Sequence, residues 1–109
     1  MSEAAYGPYA QGQVLISDPS PLTDERELVV VVSSDMYNRA GAPTVMVAEI
    51  ETGTRFRATS YATETAYGVV LADRVQWLPT TMAGERFGIV TDEQRQRIAD
   101  QVIAVIRGR

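Results

Sequence analysis

The chain reads as a mostly-β, α+β domain: a small bent antiparallel sheet, or partly open barrel, with one C-terminal helix covering its open side. Three features predict this. Leu28-Val29-Val30-Val31-Val32 is apolar and β-branched almost throughout, as in a strand buried on both faces. Shorter apolar runs lie before and after it, separated by Gly, Pro and Asp. Finally, Thr91-Asp92-Glu93-Gln94 is a capping box, and apolar residues follow it at helical spacing.

Taken in order, residues 1–11 mix Gly, Pro, Ala and Tyr without period and read as a flexible arm, leaving 12–109 as the single domain. Val14-Leu15-Ile16 is a first strand, stopped by Asp18-Pro19-Ser20-Pro21 because proline cannot donate to a ladder. The valine strand follows, then a turn or single helical turn from Met36 to Ala42, then a third strand over Thr44–Ile50. From Thr54 to Tyr61 the alternation predicts a strand with Arg55, Arg57 and Tyr61 on one face, and Phe56 and Ala58 on the other. Gly68–Val75 is a further strand, with Leu71, Asp73 and Val75 expected on one side. Gln76–Val90 divides into a strand end, a loop and a brief strand around Arg86–Val90. Ile98, Val102, Val105 and Ile106 then mark the helix, and Gly108 suits its stop.

The 109 residues suffice for one hydrophobic core. Purely apolar stretches are no longer than the five residues Leu28–Val32, against the roughly 20 that a membrane-spanning helix needs. The first residues lack the basic and apolar regions of a secretory signal, so a cytoplasmic location is expected. The absence of both cysteine and histidine removes thiolate and imidazole metal sites, the Ser-His-Asp triad and histidine general bases. Carboxylates, hydroxyls and arginines remain. All ten basic residues are arginine, but the net charge of −4 means that any nucleic-acid binding must come from a local patch.

In order and spacing these pieces resemble the MazF/PemK family of toxins from toxin-antitoxin systems. The matching strings are Gly12-Gln13-Val14, Asp18-Pro19-Ser20-Pro21, and Val29–Val32 running into Ser33-Ser34-Asp35-Met36-Tyr37-Asn38-Arg39. Val45-Met46-Val47-Ala48, Gly68-Val69-Val70-Leu71-Ala72-Asp73-Arg74-Val75 and Gly88-Ile89-Val90 complete them. The resemblance implies an SH3-like sheet that forms a homodimer, with Trp77 and Met36 as contacts, and a groove for single-stranded RNA or the antitoxin peptide. It also implies metal-independent and cofactor-free RNA cleavage, in which the substrate's own 2′-hydroxyl attacks the neighbouring phosphate, helped by an arginine, a threonine and a carboxylate. On this chain those roles fall to Arg26, Thr52 and Asp73, with Glu25 as base, and substrate or partner binding falls to Arg55, Arg57, Tyr61 and Arg74.

The chain departs from the family pattern just before the valine strand, where Leu22-Thr23-Asp24-Glu25-Arg26-Glu27 is shorter and carries no glycine or proline. Glu27 stands where the family has its arginine, and the pair after the third strand is Glu51-Thr52 rather than two hydroxyl residues. These replacements define the alternative: a catalytically decayed member that acts by binding a protein or peptide. Bland roles also exist for each residue. Arg26 between two glutamates fits a solvated ion pair, Arg55 and Arg57 a charged strand face, Asp73 a backbone cap near a strand end, and Trp77 a core or dimer anchor rather than a base-stacking platform.

Overall fold

The computed structural model describes residues 8–17, 27–52 and 61–108. Its elements are β1 (Gln13–Ile16), β2 (Leu28–Val31), α1 (Asp35–Arg39), β3 (Thr44–Glu51), β4 (Ala62–Thr65), β5 (Gly68–Pro79), a 3-10 turn (Thr80–Met82), β6 (Glu85–Ile89) and α2 (Asp92–Arg107). The six strands form one antiparallel sheet in the order β4-β5-β3-β2-β1-β6. Most of the strand expected over Thr54–Tyr61 lies outside the described residues; Tyr61 itself sits in the turn that leads into β4.

The valine run is buried on both faces because its side chains alternate between two cores. On one face Val30 and Val32 join Val14, Ala48, Val70, Ala72 and Val90 beneath Ile98 and Val102 of α2. On the other, Val29 and Val31 join Leu15, Val45, Val47 and Ala83, with Tyr9 and Leu78 at the margin. Burying one Val side chain is worth about 1.5–3 kcal/mol, so these two layers dominate the stability of the fold.

The sheet curls, and its two edges are met differently: β4 by side chains of α2, and β6 by the β4–β5 turn. The Gln94 side chain donates to Glu64 O (3.1 Å), and Gln101 donates to Ala62 O (3.3 Å) while accepting from the buried Thr63 hydroxyl (2.7 Å). On the β6 edge, Ile89 N–H donates to the Tyr67 hydroxyl (3.2 Å), which reaches across from the β4–β5 turn. The Tyr67 ring lies over Gly88 and meets Phe87 edge-on, with centroids 5.9 Å apart. A side chain thus takes the place of a missing strand at that edge. The result is a half-barrel closed by a helix and one tyrosine.

Two irregularities break the alternation. In β6, Phe87 is extra between the pairs Leu15↔Arg86 and Val14↔Gly88. In β5, the pairs Glu49↔Leu71 and Ala48↔Val75 leave Ala72, Asp73 and Arg74 as extra residues. The expectation that Leu71, Asp73 and Val75 share one side is therefore corrected: Leu71 and Val75 oppose consecutive β3 residues and so face opposite sides. An odd number of inserted residues inverts the parity of everything after it.

Local chemistry fixes the ends. Ser34 caps α1 by accepting from Tyr37 N–H, and Thr91 and Gln94 form the reciprocal capping box of α2. Gly108 ends α2 in the left-handed conformation (φ 76°) and donates back to Ala104 O. Residues 8–11 are tied down: Asn38 donates to Tyr9 O (2.8 Å), Gln11 N–H donates to Asp35 (2.8 Å), and the Tyr9 hydroxyl donates to Gly84 O (2.9 Å). Among the described residues no helix is long and apolar enough to cross a membrane.

Candidate functional site

Where β3 ends, Thr52 emerges exposed beyond Glu51, which pairs with Val69 of β5. Gly68 is the next β5 residue, and a Cβ there would lie 2.7 Å from Glu51 O and 2.8 Å from Ile50 Cγ2. Only glycine lets the β4–β5 turn approach so closely, and its φ of 131° suits no L side chain. The same rim carries Glu27, whose carbonyl accepts from Ser17 N–H (2.8 Å). The β2–β3 register pairs Val29 with Glu49; continued by two residues it sets Glu27 across from Glu51. By that extension Glu27 and Glu51 share one face at this end of the sheet, and Thr52 follows on the other.

Asp73 and Arg74 occupy a second place, the β5 bulge, where both are exposed. Ala72 N–H still donates to Tyr61 O (2.9 Å), so Tyr61 lies beside the bulge on the β4 side. The Arg74 guanidinium reaches back across it to Glu49, with Nη1 3.9 Å from Oε2. By register Thr52 lies across from Gly68, five residues from Asp73, on the order of 15 Å along the strand. One protomer therefore groups Tyr61, Asp73 and Arg74, and holds Thr52 apart from them. Arg26, Glu25, Arg55 and Arg57 lie outside the described residues.

Sequence reasoning missed Glu49 and Tyr67. The signal for Glu49 was its charge inside the otherwise apolar stretch Val45–Ile50; for Tyr67 it was a tyrosine directly before the turn glycine. Trp77, expected as an anchor, is half exposed (52%), with its ring 5.4 Å from that of Tyr37. Met36 (84%) and Ile106 (72%) are also open to solvent, and Val75 and Ile103 are exposed as well.

Chemically the described site offers a hydroxyl, carboxylates and a guanidinium. Among the described residues no three carboxylates are grouped so as to hold a metal ion. These groups stand in two places, the Thr52 hydroxyl just past β3 and the Arg74 guanidinium with Asp73 at the β5 bulge.

The family model described as type II toxin-antitoxin system toxin Rv0299 matches residues 17–105. Among solved structures, the chain is similar to an endoribonuclease in complex with its cognate antitoxin from a mycobacterial species: 20% identity and TM-score 0.77 over 91% of this chain and 95% of that one. MazF from Deinococcus radiodurans matches with 15% identity and TM-score 0.70 over 94% and 98%. The Mycobacterium tuberculosis toxin MazF-mt6 matches with 19% identity and TM-score 0.67 over 87% and 96%. The fold is thus that of the MazF toxins. A comparison with curated protein sequences finds no match.

Proposed function

The chain belongs to the Rv0299 family of type II toxin-antitoxin toxins, and on that premise we propose that it is a metal-independent endoribonuclease that cuts single-stranded RNA in the cytoplasm as a homodimer. The observation that carries this reading is the extent of the match: residues 17–105 take in the Thr52 rim, the Asp73 bulge and nearly all of α2. In this reading the 2′-hydroxyl of the substrate attacks the adjacent phosphorus and the 5′-oxygen of the next nucleotide leaves. A 2′,3′-cyclic phosphate results. Arg26 stabilises charge on the phosphoryl oxygens, Thr52 donates a hydrogen bond to them, and Glu25, or Asp73 of the second copy, moves the proton. Arg55, Arg57, Tyr61 and Arg74 hold the strand or the antitoxin peptide. The exposed Met36, Trp77 and Ile106 supply apolar surface for a second copy.

Glu27 and Glu51 favour a second reading, a member that binds a protein or peptide and no longer cleaves, because they stand where the family pattern has an arginine and a hydroxyl residue, and a carboxylate repels a phosphate. One experiment separates the two. Purified protein is incubated with long unstructured RNA in excess chelator. Cleavage leaving 2′,3′-cyclic ends is expected, reduced roughly 100-fold or more by Thr52→Ala, Arg26→Ala or Asp73→Asn. Uncut RNA would overturn the nuclease reading in favour of the binding one.

A further inference from the structure

A sheet edge is a row of unpaired N–H and C=O groups, and folded proteins cover or blunt it. This sheet covers two of its margins. On β4 the carbonyls of Ala62 and Glu64 accept from Gln101 and Gln94 of α2, and on β6 the Tyr67 hydroxyl takes the Ile89 N–H. The third margin is the far half of β5. There β4 accompanies β5 only from Gly68 to Leu71, and Ala72 N–H to Tyr61 O is the last bond between them. From Val75 to Leu78, β5 pairs with β3 and with no other described strand.

The register decides which backbone groups lie on that margin. Thr80 N–H donates to Pro43 O, so by antiparallel alternation Val45↔Leu78 and Val47↔Gln76 exchange hydrogen bonds, whereas Met46↔Trp77 and Ala48↔Val75 do not. Met46 O keeps the same parity, since it accepts from Val32 N–H on its other side. The N–H and C=O groups of Val75 and Trp77 therefore point away from β3, where no described residue bonds them, and both side chains are exposed. Neither a charge nor a proline interrupts Val75–Leu78, and Pro79, which has no N–H to offer, ends it.

We propose that Val75–Leu78 is a docking edge for an extended segment of a protein partner, which adds a strand beside β5. Donors and acceptors alternating along a strand are matched by another extended polypeptide backbone. Packing against Val75 and Trp77 calls for β-branched or aromatic residues at alternate positions of that segment, and no proline. A second copy is the poorer occupant, because the run spans only about 13 Å and a stable dimer buries roughly 1,200 Å² or more. Strand addition works over this length because main-chain bonds supply the affinity. The Trp77 ring packs on Tyr37, out of the plane of the sheet, so contacts to the ring and to the edge are separate. The inference holds whether or not the chain cleaves RNA.

The probe is a soluble peptide of about eight residues, valine alternating with threonine between terminal lysines, and the readout is amide hydrogen exchange followed by NMR. With peptide at about ten times its Kd, the Val75 and Trp77 amides should exchange about tenfold more slowly, while those of Gln76 and Leu78, already bonded to β3, keep their rates. The same peptide methylated on every backbone nitrogen should not bind. Val75→Pro should weaken the unmethylated peptide about tenfold or more and leave the β3–β5 ladder whole, because that N–H makes no bond to β3. Unchanged exchange at Val75 and Trp77, or equal binding of the methylated peptide, overturns the proposal. So does slow exchange at these two amides that appears without peptide and grows with protein concentration, which assigns the edge to a second copy. The methylated peptide leaves the protein unaltered, so the test stands even if Val75→Pro does not fold.

Discussion

Gly88→Ala tests the closure of the half-barrel. Gly88 pairs with Val14 on β1, and the Tyr67 ring covers the place where its side chain would stand. A Cβ there would lie 2.5 Å from Cζ and 2.7 Å from Cε1 of that ring, closer than real carbon contacts, so the outer end of the ring must shift. That shift breaks the Ile89 N–H to Tyr67 hydroxyl bond (3.2 Å), worth about 1 kcal/mol. It also uncovers apolar surface that Tyr67 shares with the core under α2, about 1–2 kcal/mol at roughly 25 cal/mol per Å². The expected loss is about 2–3 kcal/mol, a fall in melting temperature of about 10–20 °C for a domain of this size. Circular dichroism melts at one fixed protein concentration measure it, since self-association shifts the midpoint. The decisive control is Tyr67→Ala. With the ring gone the added methyl meets open space, and Gly88→Ala becomes neutral or stabilising by up to about 1 kcal/mol. If Gly88→Ala costs the same with and without the Tyr67 ring, the closure does not work in this way.

Two further outcomes follow from the same structure. Asn38→Ala removes the acceptor of the Ser33 hydroxyl (2.6 Å) and the donor to Tyr9 O and Ser33 O; because Ser33 is buried, urea denaturation should show a loss of about 1–3 kcal/mol. Trp77→Glu combined with Ile106→Glu places charge on two exposed apolar positions; light scattering should report a dimer for the parent and a monomer for the variant, and a parent monomer at tens of micromolar would refute the dimer.

Much of the architecture was legible because it follows from local rules. The double burial of Val29–Val32 came from an uninterrupted β-branched run, and α2 from its capping box and apolar spacing. The candidate site was less so. Reading Leu71, Asp73 and Val75 as one face assumed a regular strand, and a three-residue bulge has no signature in alternation because it is defined by the partner strand. Asn38 links Ser33 to Tyr9 while Ser34 caps α1, pairings across the fold that no local pattern announces.

The sequence by itself determined the chemistry available: no thiol, no imidazole, arginine as the only cation, and a strand rich enough in valine to be buried on both sides. Only the tertiary structure decided which of those groups meet. Glu49 and Arg74 are 25 positions apart and become partners through the β3–β5 register. Tyr67 and Ile89 meet because the sheet curls until its edges approach one another. The physical reason is that burial and capping depend on neighbours along the chain, whereas an ion pair or a closing hydroxyl depends on how far a sheet bends, and that is set by its bulges and by the whole of the packing around them.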